Sequence, residues 1–528
     1  MLVMDYSMQM YTIEKIGAFL DSTAPERSMS SSHYDVVILG AGNAAFCAAL
    51  AAREESCRVL MLECAPEAES GGNTRFTAGA MRFAYDGVDD LHQLMPDLTN
   101  TEIADADFGR YPEAQFFDDM FRVTRFRTDP ELCEKLVRRS FDTMLWLHSK
   151  GIRFVPIYGR QAFKIDGRFK FWGGLTVEVS GGGPGLIEQF SRMACQQGID
   201  VRYRARGVSL LVDGSGVCGV NVRIGNRLEE VRAAAVILAS GGFEANPEKR
   251  TRYLGPGWEL AKVRGSRFNM GDGISMALEI GAMPYGNWSG CHAVGWDYNA
   301  PEFGDLSVGD GFQKHSYPFG IMVNAHGCRF VDEGADFRNY TYAKYGRAVL
   351  EQTDNFAWQI FDRKVTHLLR DEYRIRRVSK VTAQTIEELA TKLDGVNKAG
   401  FLSEVWAFNE AVRTGIPFNP NVKDGRCTSG LTIPKSNWAN RIDEPPFEAY
   451  QVGCGITFTF GGLRIVADSA QVLSTDLEPI PGLYAAGELV GGLFYFNYPG
   501  GTGLTSGAVF GRTAGNAAAA AIARRAVA

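Results

Sequence analysis

Tyr34–Leu39 is a short apolar, β-branched run, the pattern of a strand buried on both faces. It runs into Gly40-Ala41-Gly42-Asn43-Ala44-Ala45, and an alanine-rich stretch of good helix propensity follows. A second apolar run, Arg58–Leu62, ends in Glu63. Strand, glycine turn, helix, strand and acid in this order predict a dinucleotide-binding βαβ unit. Gly40 allows the tight turn, Gly42 lets a pyrophosphate approach the backbone, and Ala45 lets the helix lie close to the sheet. Asn43 and Ala44 open that helix, whose free N–H groups and partial positive charge suit phosphate. Glu63 stands where a carboxylate accepts both ribose hydroxyls of an adenosine. The competing reading is a plain crossover with incidental glycines.

The pattern continues with Ser70-Gly71-Gly72-Asn73-Thr74-Arg75, whose glycines bring backbone donors to a phosphate or a ring. Residues 100–150 read as helical, with Asp129-Pro130 as a start signal. Leu186–Gln197 reads as an amphipathic helix. Val201–Tyr203, Val208–Val212, Val217–Ile224 and Glu229–Ala233 read as a β-meander. Ala235–Ala239 is a further buried strand, closing on Ser240-Gly241-Gly242-Phe243, where the chain returns to the first sheet. Val365–Val396 reads as a charged helical stretch with a solvated face. The fold class predicted is α/β: a Rossmann-like domain, parallel sheet plus meander, with a second region inserted in it.

Composition narrows the class. The 528 residues suffice for two or three cores, and 45% apolar with 22% charged residues is ordinary for a water-soluble globular protein. A net charge of −6 gives no reason to expect nucleic acid or an anionic membrane as partner. The ten cysteines show no C-x-x-C and no metal-ligand spacing, so reduced thiols, no metal and a cytoplasmic location are expected. Residues 1–32 form an acidic N-terminal extension without a signal-peptide core, and no run is long enough to span a membrane.

The order of parts resembles the flavoprotein superfamily of fumarate reductase, succinate dehydrogenase, L-aspartate oxidase and 3-ketosteroid dehydrogenase. Within it, GNAAFCAALAARE, SGGNTR, GGFEANPE and RFVDEGADF are most similar to tricarballylate dehydrogenase-like members. Pro481–Glu488 matches the second flavin motif of that superfamily, and Gly500–Gly507 opens its last helix. The resemblance implies FAD, chosen over NAD, and implies domains at 33–290 and 456–528 around an α+β capping domain at 291–455. It places Gly40, Gly42, Asn43, Ala44, Glu63, Gly72, Asn73, Thr74, Val208, Gly241, Gly487, Glu488, Gly503, Leu504 and Thr505 around the cofactor. No histidine lies between Glu63 and Asp86, so attachment is expected to be non-covalent.

The same resemblance implies hydride transfer between flavin and a carbon–carbon bond beside a carboxylate or carbonyl. Such a site needs an acid or base opposite the flavin and cations for the substrate. Arg338, following Arg329-Phe330-Val331-Asp332-Glu333, matches the proton donor of fumarate reductases one residue off register; the alternative is that it only pairs with Asp332 or Asp336. Glu333 and Asp336 are the nearest carboxylates to help shift its proton. His292 falls at the position of a substrate histidine, and His315 with Lys314 at a proton-relay stretch whose Glu and Arg are Gln313 and Ser316 here. Two dicarboxylate-clamping residues of the superfamily, a late histidine before Gly-Gly and an arginine in the C-terminal loop, are missing. Tyr498-Pro499-Gly500 resembles instead the ketone-polarising loop of 3-ketosteroid dehydrogenases, with Tyr340, Tyr342 and Tyr345 as base candidates or as packing. The expected activity is desaturation of a carboxylic acid. The alternatives are a ketone-directed desaturase or ene-reductase and a flavoprotein electron-relay subunit; expected partners are a small carboxylate or carbonyl substrate and a separate electron-acceptor protein.

Overall fold

The computed structural model describes residues 34–527, so the extension expected over residues 1–32 lies outside the described residues. The opening unit is β1 (Tyr34–Leu39), α1 (Asn43–Glu54) and β2 (Val59–Leu62), with β1 and β2 paired in parallel. Further along, α2 (Pro130–Ser149) starts at Asp129, whose carboxylate accepts the N–H groups of Glu131 and Leu132 at 3.0 and 3.1 Å. The stretch 100–150 is therefore helical, in separate pieces at Asn100–Asp105, Glu113–Val123 and α2. The amphipathic helix α3 (Gly182–Gln196) leads to β3 (Asp200–Arg202), which joins the free edge of β2.

The meander is β4 (Ala205–Asp213), β5 (Gly216–Ile224) and β6 (Arg227–Leu238). Glu229–Ala233 and Ala235–Ala239, expected as two strands, are one. The first half of β6 pairs antiparallel with β5 and the second half parallel with β1, so a single strand carries the chain back into the parallel sheet.

The inserted region is built on a second sheet. Its elements are β7 (Pro284–Asp297), β8 (Ile321–Val323), the helix α4 (Tyr342–Leu350), β9 (Ala357–Phe361), β10 (Lys380–Ala383) and β11 (Phe447–Leu463). The long strands β7 and β11 pair antiparallel along most of their length and straddle the positions 291 and 455. They are the stem on which the inserted region stands. The chain then returns through β12 (Gln471–Leu473) and β13 (Pro479–Ala485), which pairs in parallel with β6, and ends in α5 (Thr502–Val527).

One expectation fails. Val365–Val396 is not a solvated helix: it holds short turns, β10 and a single helix at Ile386–Lys392. The turn at Arg370–Tyr373 folds inward, leaving Arg370 only 8% and Glu372 only 5% exposed. Only Arg370 and Glu372 turn inward, as an ion pair; the other charged side chains, among them Asp371, Arg374, Arg376, Arg377 and Lys380, face solvent as expected.

Candidate active site

A deep cavity with about 1890 Å³ of empty space, mouth included, runs from the C-terminal ends of β1, β2 and β6 to the second sheet. In α/β folds this end of the sheet is where ligands bind. Gly40, Gly42, Asn43, Ala44, Glu63, Gly72, Asn73, Thr74, Gly241, Gly487, Glu488, Gly503 and Leu504 all lie on its wall. Val208 and Thr505 do not. Gly207 takes the place on β4, and the hydroxyl of Thr505 turns back to the carbonyl of Gly501 at 3.3 Å while Ser506 and Gly507 face the cavity.

The glycines divide into two kinds. Gly40 has φ +111°, and a Cβ there would collide with the Ala239 carbonyl, so its role is in the fold. Gly42 has an ordinary φ of −85°, and a Cβ there would come no closer than 3.6 Å to protein, at Thr74 Oγ1. Space left empty by the protein itself at the start of a helix is what a pyrophosphate requires. The amide of Asn43 donates to Thr74 Oγ1 at 3.1 Å and its side-chain amide to the Leu504 carbonyl at 2.7 Å, tying the phosphate turn to the start of α5. Deeper in, the amide of Thr459 donates to Glu488 at 2.8 Å, and Asn73 and Asn269 both donate to the buried Glu244 beside it. These residues fit FAD, and Glu63 at the end of β2 and Gly503 at the start of α5 both lie on the same wall. Acid precipitation of the purified protein should leave all the yellow colour in the supernatant; colour held in the washed pellet would show a covalent bond.

The other end of the cavity carries the candidate catalytic side chains. Arg160, Arg264, Arg338, Arg370, His315, Tyr342 and Tyr498 converge there. Asp310 bridges two of the arginines, accepting from Arg264 at 2.6–2.8 Å and from Arg160 at 2.9 Å. Arg370 is different. Its Nε is 3.0 Å from Glu372 but misaligned, and none of its three nitrogens makes a hydrogen bond. The Glu372 charge is thus close, but the buried N–H donors of Arg370 stay unsatisfied, which is costly unless a further acceptor completes them.

Arg338 lies on this wall, and the pairing considered for it does not form. Asp336 is taken by Arg122 at 2.6 Å, Asp332 by Ser436, and Glu333 by Arg329 at 2.5 Å. The Arg-Phe-Val-Asp-Glu motif is thus a buried brace, with Glu333 also accepting the Met322 amide at 2.8 Å. Neither Glu333 nor Asp336 assists Arg338. Its guanidinium donates to the Arg160 carbonyl at 2.6 Å and lies over Trp172. Burial and the neighbouring Arg370 instead hold its pKa well below the usual arginine value. That loosens its proton by a different physical route.

His315 is on the wall and His292 is one layer behind. His292 stacks on Phe458 and meets Tyr342 and Tyr498 edge-on, and neither of its ring nitrogens has a partner. Burial lowers both histidine pKa values well below normal, so both rings are neutral at pH 7. The Tyr342 and Tyr498 hydroxyls are hydrogen-bonded at 2.6 Å. Tyr340 and Tyr345 serve packing: Tyr340 donates to Asp119 at 2.6 Å, and Tyr345 to the Asp332 carbonyl. Arg160, Arg264 and Arg370 were not singled out from sequence. They sit far apart in sequence, Arg160 in the short helix Tyr158–Gln161 and the other two in separate loops, and only the fold gathers them.

Residues 35–504 match the family model described as an FAD binding domain, and the chain belongs to that family of flavoproteins. It is 30% identical over 490 residues to a probable fumarate reductase of Shewanella frigidimarina, covering 92% of this chain and 74% of that one. It is 26% identical to the 4-oxocyclohexanecarboxylate 2-dehydrogenase of Sinomonas cyclohexanicum, covering 92% and 94%. The structure of a flavocytochrome c3 fumarate reductase in an open conformation superimposes with a TM-score of 0.69 at 27% identity, over 93% of this chain and 79% of that one. The protein is an FAD-dependent oxidoreductase acting on carbon–carbon single or double bonds. Among the described residues no helix is long and apolar enough to cross a membrane, and no cluster could hold a metal ion.

Proposed function

We propose that the enzyme desaturates a small polycarboxylate of the tricarballylate type, at a bond beside one carboxylate. The observation that supports this reading is the group of four arginines, with the N–H groups of Arg370 left without aligned acceptors. Asp310 offsets one of the two charges of Arg160 and Arg264, and Glu372 one of the two of Arg338 and Arg370, so the wall keeps a positive excess. Two or more carboxylates satisfy such a wall better than one, through paired N–H donors. These arginines stand in for the missing histidine and C-terminal arginine of the superfamily.

When bound, FAD supplies hydride acceptance and donation. The chain does the rest. Arg370 and Arg264 hold carboxylates, and Arg338 holds or takes the proton at the carbon beside the one that exchanges hydride. Phe458, Tyr342 and Tyr498 close the site with apolar faces, strengthening each charge interaction inside. The boundaries 33–290, 291–455 and 456–528 are retained as functional units, the inserted region closing over substrate as a lid.

Glu178 adds a pH dependence. Burial raises its pKa to about 7, against the pull of Arg160 and Arg370. Below pH 7 it is protonated and neutral, leaving those arginines more positive. As pH rises through 7 it gains a negative charge and competes with the substrate. KM for a polycarboxylate should therefore rise about threefold or more between pH 6 and 8. In Glu178→Gln that rise should vanish, and an equal rise in the variant would assign it elsewhere.

A second reading rests on the Tyr342–Tyr498 pair. A hydroxyl donating to another hydroxyl on the cavity wall is suited to polarising a ketone oxygen. Anaerobic mixing with tricarballylate, succinate and a cyclic ketone separates the two. Bleaching by the polycarboxylate supports the first reading. Bleaching by the cyclic ketone alone supports the second, and bleaching by none favours an electron-relay subunit.

A further inference from the structure

A second cavity lies on the outer side of the arginine wall. It has about 850 Å³ of empty space, mouth included, and shares Arg160, His315, Arg338 and Arg370 with the inner one. Its mouth carries the exposed Gly159, His367 and Asp371 with Arg374. Its depth is aromatic: Trp172 stacks on Phe337 at 5.2 Å, Phe337 meets Trp438 at 5.7 Å, and Phe163 meets Phe319 at 5.5 Å. Trp172, Arg338 and Arg370 are 7%, 9% and 8% exposed.

The unpaired polar atoms of this lining belong to Trp172, Arg370 and His315, and apart from one nitrogen of the neutral imidazole they are donors. Nε1 of Trp172 is buried without an acceptor, as are all three nitrogens of Arg370. Arg338 spends one N–H on the Arg160 carbonyl. Asp371, the carboxylate at the mouth, is paired with Arg374 at 3.2 Å and points to solvent. A ligand completing this floor must accept hydrogen bonds and carry negative charge. One filling the walls must present flat apolar faces.

We propose that this well is a second anion site, for a small planar aromatic carboxylate whose carboxylate sits on Arg370 and Trp172 and whose ring sits among Phe337, Phe319 and Trp438. The site does not depend on which bond the inner cavity oxidises. Its ligand draws on the same arginines as the inner substrate, so filling the well slows turnover.

The test is titration of the flavin-loaded enzyme with 2-naphthoate, followed by the ligand's own fluorescence. Saturable binding is expected, at least tenfold tighter than for cyclohexanecarboxylate, with no change in the visible flavin spectrum. Trp172→Leu should weaken it at least tenfold. Arg374→Glu, at the rim and without a role in the core, should weaken it at least threefold, which keeps the test decisive if the tryptophan variant fails to fold. Absence of saturable binding overturns the proposal. So does binding that shifts the flavin spectrum and ignores both substitutions, since that ligand would be in the inner cavity.

Discussion

Gly42→Val is expected to give a folded, soluble and colourless protein. The position has an ordinary backbone conformation, and a Cβ added there would lie 3.6 Å from the nearest protein atom, so the fold accepts a side chain. The pyrophosphate does not, because valine fills the space beside the helix N-terminus through which it reaches backbone donors. FAD affinity should fall more than about 100-fold, which is about 2.7 kcal/mol. Circular dichroism should be unchanged, with flavin absorbance lost after gel filtration. Gly40→Val provides the contrast, since it clashes with the backbone at the end of β6 and should fail to fold. A Gly42→Val protein that stays fully yellow would mean that the phosphate turn lies elsewhere.

Arg338→Lys should cut turnover by about 100-fold or more, the usual effect of losing an acid–base group, in a protein that remains folded and yellow. Lysine keeps the positive charge but loses the planar fork. It cannot at once reach the Arg160 carbonyl, lie over Trp172 and face the substrate as the guanidinium does. The low proton affinity imposed by burial and Arg370 belongs to that fixed geometry. The check is kcat on the substrate that bleaches the flavin, normalised to bound FAD. Survival of turnover within a few-fold would pass the role to Tyr498, whose hydroxyl is already paired with Tyr342 on the same wall.

The cofactor half of the cavity was legible because its signals are local. A strand, a glycine turn and a helix are consecutive, and Glu63 closes the next strand. Val208 and Thr505 missed the wall by a residue or so, since loop and strand register decides which neighbour faces inward. The substrate half was legible only at Arg338, His315 and Tyr498. Arg264 lies between β6 and β7, Arg370 in a turn that reads as solvated charge, and Arg160 inside the short helix Tyr158–Gln161. No periodicity links these three; burial against Asp310 and Glu372 does. Charge runs are ordinarily surface features, and here the ion cluster lines an interior wall.

The tie between the Asn43 side chain and the Leu504 carbonyl joins residues 461 positions apart. Gly511 and Gly515 of α5 press against the backbone of Ala44 and Ala48 on α1, where any side chain would collide. The turn that receives the phosphates is thus finished by a helix that arrives hundreds of residues later in the chain. The first motif, though contiguous in sequence, is not a self-sufficient nucleotide clasp. A fragment that stops short of α5 lacks the backbone that braces this turn.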